Sequence, residues 1–73
     1  MIKAEIRYSA DGVHVKNTFY RMPRDHYDIY DLMMELTGND HEISCDAASW
    51  CELACVGETY EFREGEIEII EID

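Results

Sequence analysis

The sequence predicts a small α+β domain with the element order ββ-α-α-ββ, and three observations indicate this fold class. Two segments with alternating apolar residues, each around a glycine-containing turn, occupy the two ends of the chain. Two segments with apolar residues at helical spacing lie between them. The chain has 73 residues, enough for one domain. We therefore expect residues 1–73 to form a single compact acidic domain, in which two hairpins make a small antiparallel or mixed sheet with both helices on one face.

The first hairpin is predicted over residues 1–20. Asp11-Gly12 is a strong signal for a two-residue turn. A turn at this dipeptide pairs Ala4 with Phe19 and places both side chains on an apolar face, while charged residues occupy the opposite face. This register predicts that Phe19 belongs to the core.

The first helix is predicted over roughly residues 24–37. Asp25 is a suitable N-cap, and Gly38 is suited to the position that follows a helix C-terminus. The helix has a core-facing stripe at i, i+3, i+4 and i+7, formed by Ile29, Leu32, Met33 and Leu36.

The second helix is predicted to begin at Ser44 or Asp46, after a connection over residues 39–44, and to run through Cys55. Gly57 ends it. Its apolar stripe is formed by Ala47, Trp50, Cys51 and Ala54.

The second hairpin is predicted over residues 58–72, with its turn at Glu64-Gly65. This turn pairs Glu61 with Glu68. The inner face then carries Tyr60, Phe62, Ile67 and Ile69. The alternation breaks at Ile69-Ile70, and a β-bulge there is expected to return Ile72 to the core.

The net charge of −11 is unevenly distributed along the chain. Residues 1–24 contain five cations and two acids, whereas residues 25–73 contain one cation, Arg63, and fifteen acids. Such a surface repels phosphates, so direct binding to nucleic acid or to anionic membranes is disfavoured. A basic protein partner is favoured through electrostatic steering. The alternative explanation is that the charge only keeps a small protein in solution.

The cysteines indicate a reducing compartment and give no strong chemical signal. Three cysteines leave at least one unpaired, and no secretory leader or apolar span is evident, so we expect a complete cytoplasmic chain beginning at Met1. His41, Cys45, Cys51 and Cys55 are the best metal candidates, but their spacing matches no common zinc framework. Cys45 beside His41 is the best nucleophile candidate, in an acidic field that opposes a thiolate. We expect no metal, no cofactor and no enzymatic activity.

Two surfaces carry carboxylates at regular structural spacing. On the first helix, Asp28, Asp31 and Glu35 form an acidic stripe beside an aromatic ridge that contains Tyr27 and Tyr30. On the second hairpin, the outer face presents Glu61, Glu66 and Glu68, with only Arg63 opposing them. These eight side chains are the predicted partner-binding residues: Tyr27, Asp28, Tyr30, Asp31, Glu35, Glu61, Glu66 and Glu68.

The functional hypothesis is a non-enzymatic acidic module that binds a basic protein surface. One form of it is a nucleic-acid mimic, because rows of carboxylates can imitate the spacing of phosphates. In size, acidity and compactness the chain resembles the anti-restriction and anti-CRISPR proteins of mobile elements, which inhibit DNA- or RNA-handling enzymes, although no motif carries the resemblance. The alternative is a small accessory or regulatory protein, homodimeric through an exposed sheet edge, whose acidity serves only solubility.

Overall fold

A computed structural model of the protein describes all of residues 1–73. Its elements are the strands β1 (Ile2–Tyr8) and β2 (Lys16–Met22), the helices α1 (His26–Leu36) and α2 (His41–Leu53), and the strands β3 (Thr59–Phe62) and β4 (Gly65–Ile72). The strands form one antiparallel sheet in the order β2-β1-β4-β3. The predicted α+β fold with the order ββ-α-α-ββ is therefore confirmed.

One core is shared by the sheet and the two helices. Burial alternates along β1 and β4, as expected where one face of a sheet is covered. Twelve apolar residues form the core: Ile2, Ala4, Ile6, Met22, Ile67 and Ile69 from the sheet, and Ile29, Met33, Ala47, Ala48, Cys51 and Ala54 from α1, α2 and the residue after α2.

The register predicted for the first hairpin is wrong by one residue. Ala4 lies opposite Tyr20, not opposite Phe19. Because side chains alternate along a strand, this shift reverses the faces of β2. Met22 is buried and Tyr20 packs against the core, while Phe19 is 57% exposed on the outer face.

The cause of this difference is the loop between β1 and β2. The Asp11 carboxylate accepts hydrogen bonds from the backbone N–H groups of Val13 and His14, both at 2.8 Å. Gly12 adopts a positive φ of 77° within the same loop. The chain therefore reverses around an aspartate side chain. Val13 and Val15, which the predicted pairing would have placed on the same apolar face as Phe19, are exposed.

Helix α1 follows the prediction closely. The Asp25 side chain accepts a hydrogen bond from the backbone N–H of Tyr27 at 2.8 Å and is the N-cap. Thr37 is the C-cap, and Gly38 follows with a φ of 68°.

The predicted start of α2 is wrong, because Asp40 is its N-cap. The Asp40 carboxylate accepts from the backbone N–H of Ile43 at 3.0 Å. Ser44 lies inside the helix, buried, and its hydroxyl donates to the Asp40 carbonyl oxygen at 2.6 Å. Asn39, with a φ of 71°, makes the tight connection from α1 possible. The helix ends at Leu53, before the predicted end at Cys55.

The second hairpin has the predicted inner face but a different turn. Arg63 and Glu64 form the turn, so Glu61 lies opposite Glu66 and not opposite Glu68. A shift of two residues keeps every side chain on its face. The predicted bulge is confirmed, because Ile70 has no partner on β1. It brings Ile72 opposite Ile2, but Ile72 remains 37% exposed and lies outside the core.

Candidate acidic binding surface

The acidic stripe of α1 is exposed and has no cation to neutralise it. Asp28, Asp31 and Glu35 are all exposed. None of them takes part in an ion pair. Asp28 and Glu35 lie about 10 Å apart along the helix axis at the usual rise of 1.5 Å per residue. Since α1 is anchored through the buried Ile29 and Met33, the stripe is displayed on a fixed scaffold.

The two tyrosines of α1 have different surroundings. Tyr27 is 77% exposed and is available to a partner. Tyr30 is half-buried, and its hydroxyl lies 2.6 Å from Nδ1 of His41 at the start of α2. Its ring also stacks on that of His26, with ring centroids 6.4 Å apart. Tyr30 therefore braces α1 against α2, and of the two tyrosines Tyr27 is the one placed to act as an anchor.

The outer face of the sheet is organised around Arg7 of β1. Its guanidinium donates to Glu66 at 2.9 Å, to Glu5 at 2.6 Å and to Glu68 at 3.2 Å. The hydrogen bond to Glu66 is the largest cause of the raised pKa of Arg7. The predicted partner-binding residues Glu66 and Glu68 are thus already engaged within the protein, and Glu61 is the exposed member of that group.

The sequence predicts that Arg63 opposes the carboxylates of the outer sheet face, and this prediction is wrong. It lies in the β3–β4 turn, where its guanidinium contacts Glu64 at 2.9 Å and Asp40 at 3.6 Å. The hydrogen bond to Glu64 is the main cause of the raised pKa of Arg63. The sequence does not indicate that Arg7 binds Glu66 and Glu68, because Arg7 lies about sixty positions away from them in the chain.

Two further carboxylates lie on the helical side and are not among the predicted partner-binding residues. Glu42 and Asp46 of α2 are exposed and, like the α1 stripe, have no cationic partner. The sequence predicts a connection over residues 39–44 and therefore does not place residue 42 on a helix. The helices therefore present five unpaired carboxylates, three on α1 and two on α2.

The cysteines and His41 do not converge. Cys51 is buried in the core, where desolvation raises the pKa of its thiol to about 12, whereas Cys45 is half-buried and Cys55 is exposed. No group of three or more His, Cys, Asp or Glu side chains has an arrangement that could hold a metal ion. Cys45 lies in the second turn of α2, away from the helix N-terminus where its pKa was expected to be lowered.

The largest cavity is a shallow groove of about 320 Å³ beside the β3–β4 turn. Its charged groups are those of Arg7, Glu61, Glu64 and Glu66, and Ser9 also lines it. The Ser9 hydroxyl donates to Asp11 at 3.3 Å, so the hydroxyl faces a carboxylate and has no histidine or lysine base. The groove thus extends the Arg7 cluster and lacks an activated nucleophile.

Comparison of this chain with protein-family models, curated proteins and solved structures gives no significant match. Neither helix combines the length and the apolar character needed to cross a lipid bilayer.

Proposed function

We propose that this chain is a non-enzymatic binding module that docks on a basic surface of a partner protein through the acidic stripe of α1. The observation that supports this most strongly is the contrast between two sets of carboxylates. Glu66 and Glu68 are held by Arg7, whereas Asp28, Asp31 and Glu35 have no cation in contact. A partner's lysines and arginines can pair with the α1 stripe without breaking an internal ion pair.

Two further features suit the acidic stripe to binding: an exposed aromatic side chain lies beside it, and the helix that carries it is rigid. Tyr27 follows the N-cap of α1 and is largely exposed beside Asp28, and aromatic residues commonly anchor protein interfaces. The helix backbone is fixed by capping and by core packing, so little conformational freedom is lost on docking.

In its finer form, the proposal is that the helical side mimics nucleic acid and inhibits a DNA- or RNA-handling enzyme. The three carboxylates of α1 lie on average about 5 Å apart along the helix axis, on the same scale as the charges of one nucleic-acid strand, which follow about every 3.4 Å. Glu42 and Asp46 add a second short row on α2. Steering into a basic groove would then follow the same electrostatics as for the nucleic acid itself.

The proposed site of action is the cytoplasm. All three cysteines are free thiols, and Cys55 is exposed. Exposed free thiols persist in a reducing compartment and are oxidised outside it.

Competition between the protein and a nucleic acid for the same partner tests this proposal. The immobilised protein is incubated with host lysate, washed, and then eluted with a short DNA or RNA duplex at constant ionic strength. We expect the duplex to release the bound partner, and the isolated partner to bind that nucleic acid directly. An uncharged polymer at equal mass is the control eluent. A partner that stays bound in the presence of excess duplex would refute mimicry.

A further inference from the structure

The two edges of the sheet differ in how well they are protected from pairing with another strand. β3 is an edge strand of four residues and carries Glu61. β2, at the other edge, has seven residues and no proline between Lys16 and Met22. A long unpaired edge presents a row of free backbone N–H and C=O groups and is a template for an additional strand.

An apolar groove runs along the inner side of β2. Its volume is about 230 Å³, and its apolar lining is formed by Ile6 and Tyr8 of β1, Tyr20 of β2 and Leu36 at the end of α1. Thr18, on the same side of β2, is exposed, so this part of the strand has an uncovered inner face. The groove can therefore take apolar side chains of a strand added beside β2.

The charge on this edge is opposite to that on most of the protein. β2 contains Lys16 and Arg21 and no acid. Lys16 has no ion-pair partner, and Arg21 is 52% exposed beside Glu71 and Asp73. Next to the strand, the Lys3 ammonium lies 5.4 Å from the centroid of the exposed Phe19 ring. A second copy of β2 would bring more cations to this edge, whereas an acidic strand complements it.

The protein already contains such a pairing on the other side of the first hairpin. β4 alternates glutamate with isoleucine and pairs with β1. Its Glu66 lies opposite Arg7 on the outer face, and its Ile67 lies opposite Ile6 in the core. The hairpin thus binds an acidic, alternating strand at its β1 edge.

We propose that the free edge of β2 is a second binding site, which accepts an extended acidic segment of a partner protein as a fifth strand. Apolar side chains of this segment lie opposite Thr18 and Tyr20 and enter the groove beside Leu36. Its carboxylates lie opposite Lys16, at the end of the groove, and opposite Arg21 on the outer face. This site is separate from the acidic stripe of α1 and does not depend on the function proposed for that stripe.

The test uses the isotope-labelled full chain and a synthetic peptide with the sequence of residues 64–73, capped at both ends. The control peptide has lysine in place of every glutamate. We expect the acidic peptide to shift the NMR amide signals of residues 16–22 and to protect some of them from hydrogen exchange. The lysine peptide is expected to leave these signals unchanged.

A pair of charge-reversal variants locates the site. Lys16→Glu should weaken binding of the acidic peptide at least about threefold. Arg63→Glu has the same change of charge at the β3 side of the sheet and should leave the affinity unchanged. Circular dichroism checks both folds, and the comparison of the two peptides on the wild type does not depend on either variant.

Four results would each overturn the proposal. The first is the absence of shifts in β2 at millimolar peptide, and the second is shifts confined to residues 59–62. The third is equal binding of the acidic and lysine peptides. The fourth is concentration-dependent shifts in β2 without peptide, together with a dimer in sedimentation, which would assign the edge to a second copy of this chain.

Discussion

Gly65 lies so close to the backbone of Arg7 that a Cβ atom on Gly65 would overlap the Arg7 carbonyl oxygen and lie 2.9 Å from its carbonyl carbon. The contact occurs where β4 begins, opposite Tyr8. Glycine is therefore required at position 65 by the approach of the central strands and not by a positive φ. This pairing also places Glu66 next to Arg7.

Gly65→Ala is expected to destabilise the fold by about 3 kcal/mol, because the two central strands must move apart. Gly12→Ala is the matched control. Gly12 has open space around its Cβ position but a φ of 77°, so its replacement should cost about 1 kcal/mol. Chemical denaturation measures both values. Equal losses of stability in the two variants would contradict the close approach.

Asp11 makes the stability of the first hairpin dependent on pH. Its pKa is held well below the usual range, first by the hydrogen bond with the His14 side chain and then by those from the backbone N–H groups of His14 and Val13. A lowered folded-state pKa means that the carboxylate stabilises the fold above its unfolded pKa of about 3.9. This contribution is lost as the pH falls below that value.

Asp11→Ala should therefore be less stable than the wild type at pH 7, and the difference between them should shrink on acidification below about pH 3. Denaturant titrations of both proteins across this range measure the difference. Asp31→Ala, at an exposed position without a hydrogen-bond partner, is the control for general charge effects. A difference that stays constant between the two pH values would show that the loop does not depend on the ionised Asp11.

Two of the three thiols, those of Cys51 and Cys55, should differ sharply in reactivity. Burial raises the pKa of Cys51 to about 12, whereas Cys55 is exposed. At pH 8 a thiol reagent is expected to modify Cys55 rapidly and Cys51 only after unfolding, because the thiolate is the reactive form. Mass spectrometry of peptides from timed samples identifies each site. Rapid labelling of Cys51 in the folded protein would show that this part of the core is open.

The same burial predicts a loss of stability at alkaline pH. A thiol whose folded-state pKa is raised favours folding below its unfolded pKa of about 8.5, and this contribution declines as the pH rises further. The wild type should therefore lose more stability than Cys51→Ala between pH 7 and pH 10. Parallel losses in both proteins would assign the alkaline effect to other groups.

Local signals in the sequence were sufficient to locate the helices and strands approximately, but not to predict the register of every strand pair. The apolar spacing of α1, with Asp25 before it and Gly38 after it, located that helix. The same kind of reasoning failed for β2, because Asp11-Gly12 is as typical of a side-chain-closed loop as of a tight hairpin. The burial of Met22 and Tyr20 decides the register, and it depends on packing that the pattern does not contain.

The sequence predicted the local arrangement of the candidate site but not its long-range contacts. Helical spacing was enough to align Asp28, Asp31 and Glu35, since that relationship is local. The sequence could not distinguish free carboxylates from bound ones, because Arg7 reaches Glu66 across a long-range strand pairing. Burial of Tyr30 likewise depends on where α2 begins.

The free carboxylates of α1 are proposed to make the contact with a basic partner. The most direct test of this contact is the affinity of the captured partner for two charge-reversed proteins. The helix variant replaces Asp28, Asp31 and Glu35 by lysine, and the control replaces Glu58, Glu61 and Glu71, which are also exposed and give the same net charge. Circular dichroism first confirms that both remain folded.

The helix variant should lose at least about tenfold in affinity, because each lost rim charge costs about 0.5 kcal/mol and its reversal adds repulsion. The control variant should keep an affinity within about threefold of the wild type. Equal losses in the two variants would show that only net charge matters. Wild-type affinity in the helix variant would contradict the assignment of the binding surface to α1.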